Sequence, residues 1–208
     1  MTSKISALHT NIKNLYEAHQ DTLLFHGWHH IQFVTKKTAD FAKTIDADVE
    51  IVQAAALTHD LNYMVAINSE PGAGEILRAN ILKEAGYDAD EIARIEKIIL
   101  EENLGTRTEQ ISKEGMALSD ADTLFKALPI TPILLAGRYI AENKVDIAKL
   151  ASKIVHEQQP LFDKDIYFYT DVAKEKYMQW AHTNLDLWKN VLKSLDDDDV
   201  KDMVELLQ

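Results

Sequence analysis

Apolar residues return every three to four positions along most of this chain, the period of helices that bury one face. Ile5, Leu8, Ile12, Leu15 and Tyr16 form such a stripe over residues 4–20, and Ile31, Val34, Ala42 and Ile45 mark a second helix over about 29–44. In a third, over about 48–66, Val52, Ala56 and His59 share a face at i, i+4 and i+7. A histidine therefore stands on a core-facing stripe, with Asp60 directly after it. Further helices are expected at about 74–85, 89–103 and 113–128, the last stopping before Pro129. ITPILLAGRYIAEN and VDIAKLASKIVHEQQ read as two more, and a long amphipathic helix over about 170–195 carries Val172, Tyr177, Trp180, Leu187, Trp188 and Leu195.

The punctuation agrees with this reading. Gly86 and Gly105 stand where helix C-terminal caps are expected. Asp88 followed by Glu91 has the spacing of an N-terminal capping arrangement. Only QPLFDKDIYFYT has an irregular or extended character, and the run Asp196 to Asp199 reads as a solvated turn before a short last helix. No period-2 alternation is long enough to require a sheet, so the expected fold is all-α.

Composition narrows the chemistry. With 208 residues, 46% hydrophobic and 27% charged, the chain reads as one globular domain able to bury a core. It has no cysteine, which removes disulfides and thiolate metal sites and leaves imidazole and oxygen donors for any ion. A net charge of −12 argues against a nucleic-acid polymer as partner, because phosphate backbones are gripped by clustered Lys and Arg. A small nucleotide remains compatible, since a bound divalent cation supplies local positive charge. The first twenty residues show no signal-peptide pattern, and no apolar run is long enough for a bilayer. A cytoplasmic protein without membrane contact is expected. The aromatic-rich helix at 170–195 could pack on the bundle or on a second copy, which leaves a homodimer open.

Three segments, FHGWHHIQFV, IVQAAALTHDLNY and LSDADTLFKAL, offer imidazoles and carboxylates from three helices. His30 is on the inner side of its helix, four residues before Val34. His59 and Asp60 are adjacent, so their side chains diverge by about 100° and converge on one point only near a groove. Asp122 lies in a later helix. Two imidazoles and two carboxylates suit one divalent ion, with Mn, Fe, Co, Ni, Zn and Mg all compatible by ligand type. Trp28, Trp180 and Trp188 read as core, and His156 and His182 as helix-surface residues.

HIQFV, THDLNY and DADTLFKAL, in this order and at these separations, resemble the His…His-Asp…Asp signature of the HD-domain metal-dependent phosphohydrolase superfamily. The resemblance covers about residues 23–140 and implies a single HD-type helical bundle over 1–208, with extra C-terminal helices over about 141–208. It implies one metal held by His30, His59, Asp60 and Asp122, with Asp120 as the fallback for the last, and hydrolysis of a phosphoester or phosphoanhydride of a small phosphorylated substrate, a nucleotide among the candidates. Asp60 and Glu70 are the candidate catalytic groups, with Glu75 as a further base. His26, His29, Lys37 and Arg78, and also Arg138, are candidate phosphate contacts. The chain departs from the signature in two places. Phe33 stands where many relatives have an arginine, and there is no histidine between residues 61 and 155, where ILEEN instead offers Glu101 and Glu102. These departures point to a mononuclear site, and they keep open the alternative of a non-catalytic metal-binding module that serves as a ligand sensor or scaffold.

Overall fold

Leu8, Ile12 and Tyr16 on the first helix, Ile31 and Val34 on the second, and Val52 and Ala56 on the third are all essentially inaccessible to solvent, so the stripes read from the sequence face one core. The computed structural model describes residues 3–206. Its helices are α1 (Lys4–Ala18), α2 (Trp28–Thr44), α3 (Val49–Thr58), α4 (Asn62–Val65), α5 (Glu75–Glu84), α6 (Ala89–Glu102), α7 (Lys113–Ala127), α8 (Ile130–Asn143), α9 (Ile147–Asp163), α10 (Asp171–Ser194) and α11 (Asp198–Glu205), with a short 3-10 helix at Pro71–Gly74. Among the described residues there is no strand, and the fold is all-α.

The centre is α2, which packs on α3 and on α7, while α6 closes against α3 and α7. Three of these helices, α2, α3 and α7, carry the small residues that permit close approach, Ala42, Ala54, Ala55, Ala56, Ala117 and Ala121, all fully buried. The C-terminal helices α9 and α10 pair with each other, and α10 lies on α7. Among the described residues no single helix is long and apolar enough to cross a membrane.

Local signals explain most of the boundaries. Asp88 caps α6 by accepting from Asp90 N and Glu91 N, and the Glu91 side chain accepts from Asp88 N, which completes the capping box. Gly86 ends α5 at φ 96°, a left-handed conformation that suits glycine, with its N–H donating to Lys83 O. Gly105 does not play that part. The chain leaves α6 through an extended Asn103, whose side-chain oxygen accepts from Gly105 N at 2.9 Å, so the asparagine makes the turn. The acidic run is more than a solvated turn: Asp197 caps α11, and Asp198 and Asp199 lie in its first turn, where negative charge is favoured.

Three further expectations are corrected. The helix foreseen over 48–66 stops at Thr58. Its hydroxyl donates to Ala54 O at 2.8 Å, and three-residue turns follow, Leu61 N to Thr58 O and Tyr63 N to Asp60 O. The break falls on His59-Asp60. Conversely, α9 continues through Pro160 to Asp163, because Gln158 and Leu161 keep its inner face buried, and the irregular stretch begins only at Lys164. Trp188 is core and Trp28 is half-buried, but Trp180 is 40% exposed.

Candidate metal centre

Three helices deliver the donors. The start of α2 carries His30, which is turned inward by the buried Ile31 and Val34 around it. The end of α3 carries His59, and the turn that replaces a continuing helix carries Asp60. The middle of α7 carries Asp122. One donor atom each from His30, His59 and Asp122 lies within 4.8 Å of the others, and all three side chains are buried. His30 Nε2 is 3.2 Å from His59 Nε2 and 3.5 Å from Asp122 Oδ1. Asp60 Oδ2 joins them at 3.0 Å from His30 Nε2 and 3.3 Å from His59 Nε2.

The two aspartates of the DAD segment part company by function. Asp120 accepts from Tyr169 N at 2.7 Å, Thr170 N at 2.8 Å and Thr170 Oγ1 at 2.6 Å, so it fastens the start of α10 to α7. Burial pushes its carboxyl up to about 6, against the pull of those donors. Asp122 faces the opposite way. Its Oδ2 accepts from Lys126 Nζ at 2.5 Å, one helical turn on.

The centre is anionic and tightly coupled. Burial opposes the charge of Asp122, yet Lys126, then His30 and His59, hold its carboxyl well below the usual carboxylate range. Burial likewise opposes the charge of Asp60, and His59 and His30 pull it below that range. Glu102, at the end of α6, goes the other way: burial and the neighbouring charge of Asp122 push it up. Arg107, fully buried, donates to Thr123 Oγ1 at 3.0 Å and to Glu102 O at 3.1 Å, and lies 3.7 Å from the Glu102 carboxylate. Sequence reasoning had noted Glu102 only as a non-histidine and had passed over Lys126, although its i+4 spacing from Asp122 was a signal.

These residues fit a divalent ion. The His59 Nδ1 hydrogen is donated to Ala56 O at 2.8 Å, which fixes the tautomer and turns the Nε2 lone pair toward the cluster. Asp60 Oδ2 is buried and accepts no well-aligned hydrogen bond among the described residues. Converging acceptor atoms of this kind are costly when buried and are satisfied by a cation. His30 lacks the matching anchor, since its Nδ1 is buried without a partner among the described residues.

The centre forms the floor of a cleft of about 460 Å³, a volume suited to a small ligand. His59, Asp60, Asp122, Lys126 and Glu102 line it, and Trp188, Tyr139, Leu150 and Lys153 supply walls from α8, α9 and α10. His26 also faces the cleft, stacked on Tyr63 at 3.7 Å between ring centres. The buried Glu142 carboxylate holds His26 by accepting from its ring Nδ1–H and from the backbone N–H groups of Phe25 and His26. Glu70 lies at the mouth of the cleft, exposed, and accepts from Asn103 Nδ2 at 3.3 Å.

The other expected contacts are not brought to the cleft. Arg78 is fully buried and donates to Glu96 at 2.8 and 2.6 Å, a structural pair between α5 and α6. Lys37 pairs with Asp40 at 3.7 Å on the outside of α2. His29 and Arg138 line a separate surface concavity beside Tyr16 and Trp28. Burial, then the charges of His30 and Arg138, lower the His29 imidazole to about 4. Glu75 is exposed at the start of α5. Phe33 packs on Phe125 at 5.5 Å between ring centres, so an aromatic contact occupies this position on α2.

Comparison with known proteins agrees with this geometry. Residues 27–126 match the family model of the HD domain, a span that contains His30, His59, Asp60 and Asp122. Among solved structures, Bacillus subtilis YpgQ in complex with ADP superposes with a TM-score of 0.64 at 22% identity, covering 94% of this chain and 99% of YpgQ. A Lactobacillus plantarum protein gives 0.65 at 19% identity, covering 93% and 95% of the two chains. The Lin1889 protein of Listeria innocua gives 0.53 at 20% identity, covering 95% and 97%. At these identities the likeness is one of fold. No curated protein matches the chain. The donor cluster, the helical bundle around it and the matched segment agree on one assignment: residues 27–126 of this chain are an HD domain.

Proposed function

We propose that the chain is a mononuclear metal-dependent phosphohydrolase acting on a phosphoester or phosphoanhydride, with a nucleotide as the favoured substrate class. The observation that carries this reading is the buried donor set from three helices, mutually within 4.8 Å, at the floor of an open cleft of about 460 Å³. His30, His59, Asp60 and Asp122 would hold the ion. When bound, a divalent ion supplies Lewis acidity toward a phosphoryl oxygen and lowers the pKa of water. The ADP in the YpgQ structure supports a nucleotide.

The chain's own groups divide the remaining work. Asp60, kept anionic by the imidazoles beside it, orients the attacking water through a free lone pair. Glu70, solvated at the mouth of the cleft, takes up the released proton. Lys126 offers its ammonium to the phosphate. His26, fixed by Glu142 and stacked on Tyr63, meets the substrate from the α2 side, and Trp188 and Tyr139 provide apolar wall for its remainder.

One observation favours a second reading. Phe33 packs on Phe125, and α2 brings no lysine or arginine to the cleft, which suits a module that binds a ligand without turning it over. A screen of nucleoside phosphates and simple phosphoesters with Mn, Co, Ni, Zn or Mg separates the two. Metal-dependent phosphate release that is lost in His59→Ala supports the hydrolase. Tight ADP binding without release under every metal supports the module.

A further inference from the structure

Asp122 uses its two oxygens in two directions. Oδ1 faces His30 Nε2 at 3.5 Å, on the side of the imidazole donors. Oδ2 is taken by the Lys126 ammonium at 2.5 Å. The Lys126 side chain is 29% exposed and lines the cleft. Glu102 lines the same cleft and is buried. Arg107 holds Glu102 from behind.

Sites that use two metal ions for phosphoryl transfer place them roughly 3.5–4 Å apart, one charge on each side of the reacting group. A carboxylate shared between two such positions presents one oxygen to each. Asp122 has that arrangement, with imidazoles on one side and an ammonium on the other. We propose that Lys126 is the built-in second cation of this centre: it occupies the position that a second divalent ion would take and so keeps the site mononuclear. The proposal rests on the metal reading given above.

Charge and ligand type both support it. The Lys126 ammonium is the cation in contact with Asp122 Oδ2, and with Glu102 it lines the same cleft as the donors. An ammonium is a compact point charge with three donors, so it can stay on Asp122 and still face a phosphate. There is no histidine between His59 and His156 to ligate a second ion, yet the carboxylates alone are suitable oxygen ligands for Mn or Mg. Lys126 is what stands between that pair and another cation.

The test is the number of ions bound, which does not depend on turnover. Metal-free wild-type protein, Lys126→Met and Lys126→Gln are titrated with Mn²⁺ by calorimetry at about pH 8.5, where carboxylate ligands are deprotonated. One ion per chain is expected for the wild type. Two are expected for at least one uncharged variant, the second binding roughly tenfold or more weakly than the first, because two divalent charges repel at short range. One ion in both variants overturns the proposal, as do two in the wild type. A wild type that binds no ion overturns the metal reading and this proposal with it.

Discussion

His30 Nε2 lies 3.2 Å from His59 Nε2, two buried imidazole nitrogens brought face to face by helices 29 residues apart in sequence. Asp60 Oδ2 stands 3.0 Å from the first and 3.3 Å from the second. Such a group of acceptors, poor in donors and shielded from water, is expensive unless a cation joins it. The break after Thr58 is what permits it, because the tight turns past His59 carry Asp60 onto the side where the imidazoles meet.

The two aspartates of the DAD segment should fail differently. Asp120→Ala strips three donors at the start of α10 and should cost about 3 kcal/mol in denaturant unfolding, with ion binding retained by the folded fraction. Asp122→Ala should leave stability nearly unchanged and weaken ion binding roughly tenfold or more. The opposite pattern in paired urea melts and Mn²⁺ titrations would exchange their roles.

Arg78 is a stability residue. Arg78→Met leaves the Glu96 carboxylate without its partner and should destabilise the protein by about 3 kcal/mol. Any steady-state constants of the folded protein toward a nucleotide substrate should not move. A raised KM at unchanged stability would return Arg78 to the substrate.

Much of this was legible beforehand. The stripe that places His59 beside Val52 and Ala56, and the inward side of α2 that carries His30, follow from helical periodicity alone. Periodicity cannot show where a helix breaks for a hydroxyl, so the turn after Thr58 was hidden inside an apparently continuous pattern. The roles of Arg78 and Asp120 depend on partners 18 and 49–50 residues away, which local spacing does not reveal. Glu102 and Lys126 were ordinary charged residues in a chain rich in them. Only the packing of α6 on α7 puts them at one point.

His26 should matter for substrate and not for the ion. Glu142→Gln weakens the charge-assisted bond that orients the ring, and His26→Ala removes the ring itself. Each should raise KM roughly tenfold at unchanged metal content. Loss of bound metal in either variant would count against a substrate-side role.

The metal-free protein should become less stable as pH rises. Burial and Asp122 raise the Glu102 pKa to about 8 in the folded chain, above the value of an unfolded glutamate. The folded state then holds the extra proton, so the stabilisation is complete below the ordinary glutamate range and is lost as pH climbs to about 8. Urea melts of metal-free protein between these limits should show the decline, and Glu102→Gln should flatten it. A stability that rises over this window would refute the assignment.

The bound ion is the central claim. Elemental analysis of wild type and His59→Ala, each loaded with Mn²⁺ and desalted under identical conditions, tests it most directly. The expected result is about one ion per wild-type chain and a small fraction of one in the variant, with both proteins folded. Equal metal content in the two would contradict the centre described here.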